Sequence, residues 1–301
     1  MTSQQEKIRQ MLSEKKGILL AHYYVRPEIQ EIADVLGDSL VLAQAAARSE
    51  ARVIVFAGVH FMAQSAAILC PDKIVLLPRE DAGCPLADMA TAEAVRKMRI
   101  HEPNAVFVTY INSTAEVKAV SDICCTSSNA LKVIASIPTN RKVILLPDGN
   151  LARYAARLTG RDIIAWEGCC PIHQALTAEK VLEQKNRHPQ AVFCAHPECR
   201  ADVAALADFV GSTSAIIQFA KTTDAREIIV GTEEGIFPKL RQQVPDKTFI
   251  LASPELHCPD MKKITLDDIE KSLTTMQPHV TVSDEVRTAA GGALNAMLAI
   301  S

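Results

Sequence analysis

The chain has 301 residues, 48% of them apolar, and its 32 Lys and Arg against 35 Asp and Glu leave a formal net charge of -3. That balance can fill buried sheets and excludes the basic stripe on which nucleic acid or an anionic lipid surface would settle, so the expected partners are small molecules. No apolar run reaches the ~20 residues of a membrane span, and the start MTSQQEKIRQMLSEKK lacks the apolar core of a secretory signal, so a cytoplasmic protein is expected.

An amphipathic helix over Gln4 to Lys15 leads into a first apolar strand, Gly17 to Ala21. Helical spacing follows from Glu28 to Leu36, then a hydroxyl at Ser39 and a second helix, Leu40 to Arg48. The β-branched run Arg52 to Gly58, a helix His60 to Leu69 and a run from Lys73 lead to Cys84. The same order then recurs. Strands are expected at Ala105 to Thr109, Lys142 to Asp148 and from Asp162, helices at Ala115 to Ala119 and Asn129 to Ser136, and Cys170 follows. A third round has strands at Ala191 to Ala195, Glu227 to Glu233 and from Lys247, helices at Asp202 to Ala207, Ala215 to Thr222 and Ile236 to Val244, and then Cys258. Charged helices at Thr91 to Ile100, Thr177 to Arg187 and Leu266 to Thr275 separate or close the rounds. Each round reads βαβαβα, with parallel strands buried on both faces.

The interval between rounds is 88 and then 86 residues at the strand starts, at the polar triplets His22-Tyr23-Tyr24, Tyr110-Ile111-Asn112 and His196-Pro197-Glu198, and at the hydroxyls Ser39, Ser127 and Thr213. The cysteines Cys84, Cys170 and Cys258 keep nearly the same step, 86 and 88. A repeat this long is a domain rather than a solenoid turn. The expected units are 1–89, 90–176 and 177–277, with 278–301 packing back on the first. In open α/β sheets ligands bind beyond the carboxyl ends of the strands, where the triplets, hydroxyls and cysteines all fall. Three units with those edges turned inward around a pseudo-threefold axis bring Cys84, Cys170 and Cys258 to one point. Nine cysteines in a reducing compartment indicate metal binding, catalysis or burial rather than disulfides. Zinc accepts three cysteines, although catalytic zinc usually mixes in His; a cubane iron–sulfur cluster on three cysteines leaves one iron for a substrate.

The runs AHYYVRPEIQEIADVLGDSL, VTYINSTAEVKAVSDICCTSSNA, WEGCCPIH, HPECRADV, VGSTSAI and CPDMKKITL, in this order from Ala21 to Leu266, resemble those of the quinolinate synthase family. The resemblance implies three homologous αβα sandwich domains with small parallel sheets in a triangle around a central active site. It implies a 4Fe-4S cluster held by Cys84, Cys170 and Cys258. The activity it implies is a transferase condensation of iminoaspartate with dihydroxyacetone phosphate to quinolinate, releasing phosphate and two waters, in NAD biosynthesis. An open iron would act as the Lewis acid, taking the imine nitrogen and a carboxylate oxygen. His22, Ser39, Ser127, His173, His196 and Thr213 match family substrate contacts, and Tyr110 and Asn112 are expected to orient the triose-derived portion. Tyr24, His196 and Glu198 are the acid–base candidates, with Tyr110 beside them. The unstable imine implies functional coupling to an L-aspartate oxidase.

Each selection has a plainer reading. A lone Ser before a helix is usually an N-cap contributing about 1 kcal/mol, but three at the repeat interval, with free N–H groups behind them, suit anionic substrates. Cys169 and the remaining cysteines read as buried small residues, Cys199 lacks cysteines at its repeat positions, and Tyr23 and Trp166 read as packing. An iron–sulfur hydro-lyase acting on a hydroxy acid is the alternative enzyme, since it too leaves one iron open; it has no reason to carry the three polar triplets.

Overall fold

The computed structural model describes residues 1–300 and contains three four-stranded, all-parallel sheets. The first part of the chain forms α1 (Ser3–Glu14), β1 (Gly17–His22), α2 (Pro27–Gln30), β2 (Val35–Gly37), α3 (Ser39–Arg48), β3 (Val53–Ala57), α4 (His60–Leu69) and β4 (Ile74–Leu76). The second forms α5 (Ala92–His101), β5 (Val106–Tyr110), α6 (Ala115–Ala119), β6 (Ile123–Cys125), α7 (Ala130–Ser136), β7 (Val143–Leu146), α8 (Gly149–Thr159), β8 (Ile163–Ala165) and α9 (Pro171–Gln174). The third forms α10 (Ala178–Arg187), β9 (Val192–Ala195), α11 (Ala201–Ala204), β10 (Phe209–Val210), α12 (Thr213–Thr222), β11 (Glu227–Gly231), α13 (Phe237–Gln243), β12 (Thr248–Leu251) and α14 (Leu266–Thr275), and α15 (Asp284–Ala299) ends the described chain.

All three sheets share one strand order, β2-β1-β3-β4, β6-β5-β7-β8 and β10-β9-β11-β12. The inner strand β3 is buried along its whole length, as its uninterrupted apolar sequence Val53-Ile54-Val55-Phe56-Ala57 requires of a strand covered by helices on both faces. These are the expected αβα sandwiches, with one correction: each round has four strands, not three. The helices expected over Glu28 to Leu36 and Asp202 to Ala207 end at Gln30 and Ala204, and the next residues form the edge strands β2 and β10; β6 completes the second sheet in the same way.

One aspartate in each round explains the turn into that strand. Asp34 accepts the amide of Leu19 at 2.8 Å, Asp122 that of Phe107 at 2.7 Å and Asp208 that of Phe193 at 2.7 Å, and each returns its own N–H to the same residue's carbonyl. The cations Lys73, Arg161 and Lys247 form a second repeated clamp. Each donates to carbonyls at the end of the helix after the hydroxyl: Lys73 to Ala46 at 3.3 Å and to Ser49, Arg161 to Ile137 at 2.7 Å, and Lys247 to Ala220 at 2.8 Å and to Thr223. A cation at that end also meets the negative end of the helix dipole.

The first and last interunit helices lie together, with Gln4 donating to Asp267 at 2.5 Å and Lys7 pairing with Glu270 at 2.6 Å. Residues 278–280 pair with the β4 edge, where Val280 donates to Val75 at 2.9 Å. Helix α15 then packs against α4, α6 and β6, burying Ala290, Ala293, Leu294 and Met297. No helix among the described residues is long and apolar enough to cross a membrane.

Candidate active site

The carboxyl ends of all three sheets face one cavity, the edge at which open α/β sheets bind ligands. Its lining includes His22, Tyr24, Ser39, Cys84, Tyr110, Asn112, Ser127, Cys170, His173, His196, Glu198, Thr213 and Cys258, so every residue singled out from sequence is brought to one place. No Lys or Arg lines it among the described residues. An anion bound here must therefore rely on N–H and O–H donors and on any bound metal.

The two strand-end histidines are held alike. His22 Nδ1 accepts the amide of Tyr24 at 3.2 Å, and His196 Nδ1 accepts the amide of Glu198 at 3.3 Å. An imidazole that accepts at Nδ1 carries its proton on Nε2. Burial lowers His22 to about 4 and His196 to about 3, so at neutral pH both are uncharged Nε2–H donors. His173, stacked on His196 with ring centroids 4.7 Å apart, approaches Glu198 Oε2 with Nδ1 at 2.8 Å and Thr232 Oγ1 with Nε2 at 2.9 Å.

A continuous hydrogen-bonded chain runs through the site. Tyr110 donates to Glu198 Oε1 at 2.5 Å; His173 links Glu198 to Thr232; Thr232 lies 2.6 Å from the Tyr24 hydroxyl, and Thr213 lies 2.7 Å from it. Burial opposes ionisation of Glu198, while the His196 and His173 imidazoles and the bonds from His173 and Tyr110 favour it; the balance holds the carboxyl below its ordinary range. Burial pushes the Tyr24 and Tyr110 hydroxyls well above theirs. The result is a carboxylate acceptor linked to two phenols that keep their protons.

The helix starts come together beside this chain. Asp38 caps α3 through the Val41 amide at 3.1 Å, Ser212 caps α12 through the Ala215 amide at 3.3 Å, and Ser128 Oγ lies 2.8 Å from both Asp38 Oδ2 and Ser212 Oγ. Ser39 and Thr213 are therefore the first residues of their helices, whereas Ser127 sits in the turn closed by Thr126 and Asn129, before α7. Asn112 Oδ1 is buried without a hydrogen-bond partner, an acceptor left for a ligand.

The three cysteines stand on three different loops and are all half-buried. Burial pushes Cys84 up to about 12, Cys258 up to about 11 and Cys170 well above the ordinary thiol value, so a thiolate here requires a compensating positive group. Opposing this, each sulfur faces amides of the turn after it: Ala87 and Leu86 for Cys84, His173 for Cys170, Met261 and Asp260 for Cys258. Amides directed at sulfur suit coordinated thiolates, and three thiols without a fourth cysteine suit a metal group with one open position. The donor set thus fits the cluster expected from sequence. Donor atoms of Cys170, His173 and Glu198 also lie within 4.8 Å of one another, a geometry that could hold a single ion.

Some participants escaped the sequence reading. Thr232, Asp148 and Glu233 follow strands that it recognised, but a polar residue ending an apolar run reads only as a boundary. Cys199 is buried, with its sulfur 3.4 Å from the Gly231 carbonyl, and does not line the cavity. Cys70, Cys124, Cys125 and Cys194 are buried as expected. Cys169 is half-buried instead, because its amide is drawn toward Met89 at the surface, 3.3 Å from the sulfur.

The family described as "Quinolinate synthetase A protein" matches residues 6–299. A quinolinate synthase of Geotalea uraniireducens is 52% identical over 293 residues, covering 97% of this chain and 96% of the relative. One from Methanosarcina barkeri is 50% identical over 295 residues, covering 98% and 97%.

Proposed function

Since the chain belongs to the quinolinate synthetase A family, we propose that it is a quinolinate synthase that joins iminoaspartate to dihydroxyacetone phosphate, with release of one phosphate and two waters. The observation that carries this reading is the meeting of three cysteines, two neutral imidazole donors and the Glu198 hydrogen-bond chain in one cavity without Lys or Arg. Whole-length relatives named quinolinate synthase leave the hydro-lyase alternative without support.

Cys84, Cys170 and Cys258 would hold a 4Fe-4S group whose remaining iron, when bound, supplies a Lewis acid for the imine and a carboxylate of iminoaspartate. The remaining work falls to the chain. The Nε2–H groups of His22 and His196, with Ser39, Ser127 and Thr213 at or near helix starts, bind carboxylate and phosphate oxygens by donation alone. Asn112 offers its unpaired carbonyl to a hydroxyl of the triose, and Tyr110 orients the same portion. Glu198, ionised and bonded to His173, accepts protons as carbon–carbon and carbon–nitrogen bonds form; Tyr24 and Tyr110, protonated, return them to departing water. Thr232 connects the two ends of that path. A source of fresh imine, such as an L-aspartate oxidase, would have to act nearby or in step, and a cytoplasmic setting suits both reactions.

The test is quinolinate formation by anaerobically reconstituted protein supplied with dihydroxyacetone phosphate and freshly generated iminoaspartate. Quinolinate and phosphate in equal amounts are expected. An intact cluster with no quinolinate would overturn the proposal.

A further inference from the structure

The threefold repeat allows the three cysteine loops to be compared within one molecule. In each round the residue two before the cysteine accepts an amide from the first turn after the inner strand: Ala82 from His60 at 2.8 Å, Gly168 from Gly149 at 2.7 Å and Leu256 from Glu234 at 2.9 Å. The residues before those donors are therefore equivalent, and they are Val59, Asp148 and Glu233. Two carry carboxylates and one cannot.

Asp148 and Glu233 do the same thing. Asp148, fully buried, accepts the Leu151 amide at 2.7 Å with Oδ1 and the Cys170 amide at 3.3 Å with Oδ2. Glu233, also buried, accepts the Gly235 amide at 2.7 Å with Oε2 and the Cys258 amide at 3.0 Å with Oε1, and pairs with Lys262 at 2.9 Å. Each carboxylate thus ties the turn after the strand to the backbone of a cysteine. Val59 is apolar, and among the described residues the Cys84 amide has no hydrogen-bond partner. The equivalent residues Ala82, Gly168 and Leu256 are all buried, so the contrast between the arms lies in the cysteine amides themselves. Cys84 and Gly83 also border a second, outer cavity with His60, Phe61 and Asp88.

We propose that Asp148 and Glu233 are positioning residues that fix Cys170 and Cys258 through their backbone amides, and that Cys84 is the one ligand arm the protein leaves to adjust. The inference rests on reading the three cysteines as a ligand set. Two arms then form a rigid seat, and the third closes on whatever occupies it.

Amide hydrogen exchange of full-length, cluster-free protein labelled with ¹⁵N-cysteine tests this directly. The Cys170 and Cys258 amides should exchange at least about tenfold more slowly than that of Cys84, since buried hydrogen-bonded amides are protected. Asp148→Asn, which has one acceptor oxygen for two amides, should speed Cys170 alone, and Glu233→Gln should speed Cys258 alone. Equal rates for the three amides in the unaltered protein, or variants that accelerate all cysteine amides together, would overturn the proposal. Should Asp148→Asn not fold, the contrast within the unaltered protein and Glu233→Gln still decide it. Iron uptake by the same unaltered protein separates the two readings: absence of bound iron removes the ligand set and leaves the exchange pattern as a purely structural result.

Discussion

His22 and His196 show how one backbone contact sets the chemistry of a side chain. Each stands at the end of its sheet's inner strand or just beyond it, and the amide two residues on closes over Nδ1, so the proton and the donating edge are left on Nε2. Burial then removes the charge, so each imidazole faces the cavity as a neutral N–H donor. The same burial carries a cost at acid pH. The unfolded chain protonates both histidines near 6.5, but the folded chain only at about 4 and about 3, so the unfolded state binds more protons between those values. Stability is fully present above pH 6.5 and is lost as pH falls toward the folded values, by up to about 1.4 kcal/mol per unit for each histidine. Between pH 7 and pH 5 the cluster-free protein should therefore lose more stability in urea than its His22→Gln/His196→Gln variant, by about 4 kcal/mol, the comparison cancelling every titrating group the two proteins share. An equal loss in both would mean that the imidazoles are solvated. Sequence made both histidines visible through the repeat, yet not their tautomer, which depends on a local turn that no residue pattern specifies.

At the scale of the element, the chain was legible where apolar runs were long and silent where they were short. Gly17 to Ala21 and Arg52 to Gly58 have enough β-branched and apolar residues to declare strands, and both are found. The edge strands Val35–Gly37 and Phe209–Val210 are too short to show a period, and the residues before them continue a helical spacing that the structure ends early. What starts these strands is a single aspartate, Asp34, Asp122 or Asp208, at the same repeat interval as the catalytic candidates. Its carboxylate holds the β1, β5 or β9 amide that would otherwise lack a partner beside the shortened neighbour. Asp122→Ala should cost about 1–3 kcal/mol in urea denaturation, with Asp122→Asn recovering part of it, because a lone buried N–H is the larger penalty. Equal stability of all three proteins would show that the strand pairing alone starts β6.

For the molecule as a whole, the repeat in sequence foretold the arrangement well because the interval was kept by residues of unlike chemistry: strands, hydroxyls, triplets and cysteines in step. Three sheets of one topology then place equivalent loops around one cavity, and the differences between equivalents become the specificity. Tyr110 stands where His22 and His196 stand and donates to Glu198 instead of presenting an imidazole. Val59 stands where Asp148 and Glu233 stand and leaves one cysteine loop untied. Contacts between rounds were less legible, since helices such as α15, which meets α4, α6 and β6, have apolar faces that name no partner. The central claim is that three cysteines, one from each round, form a single functional centre. It is tested most directly by iron content and quinolinate formation in Cys84→Ser, Cys170→Ser, Cys258→Ser and Cys199→Ser proteins. Each of the first three should lose bound cluster and activity together, while Cys199→Ser, whose sulfur is outside the cavity, retains both. Full cluster and full activity in any of the first three, or their loss in Cys199→Ser, would contradict it.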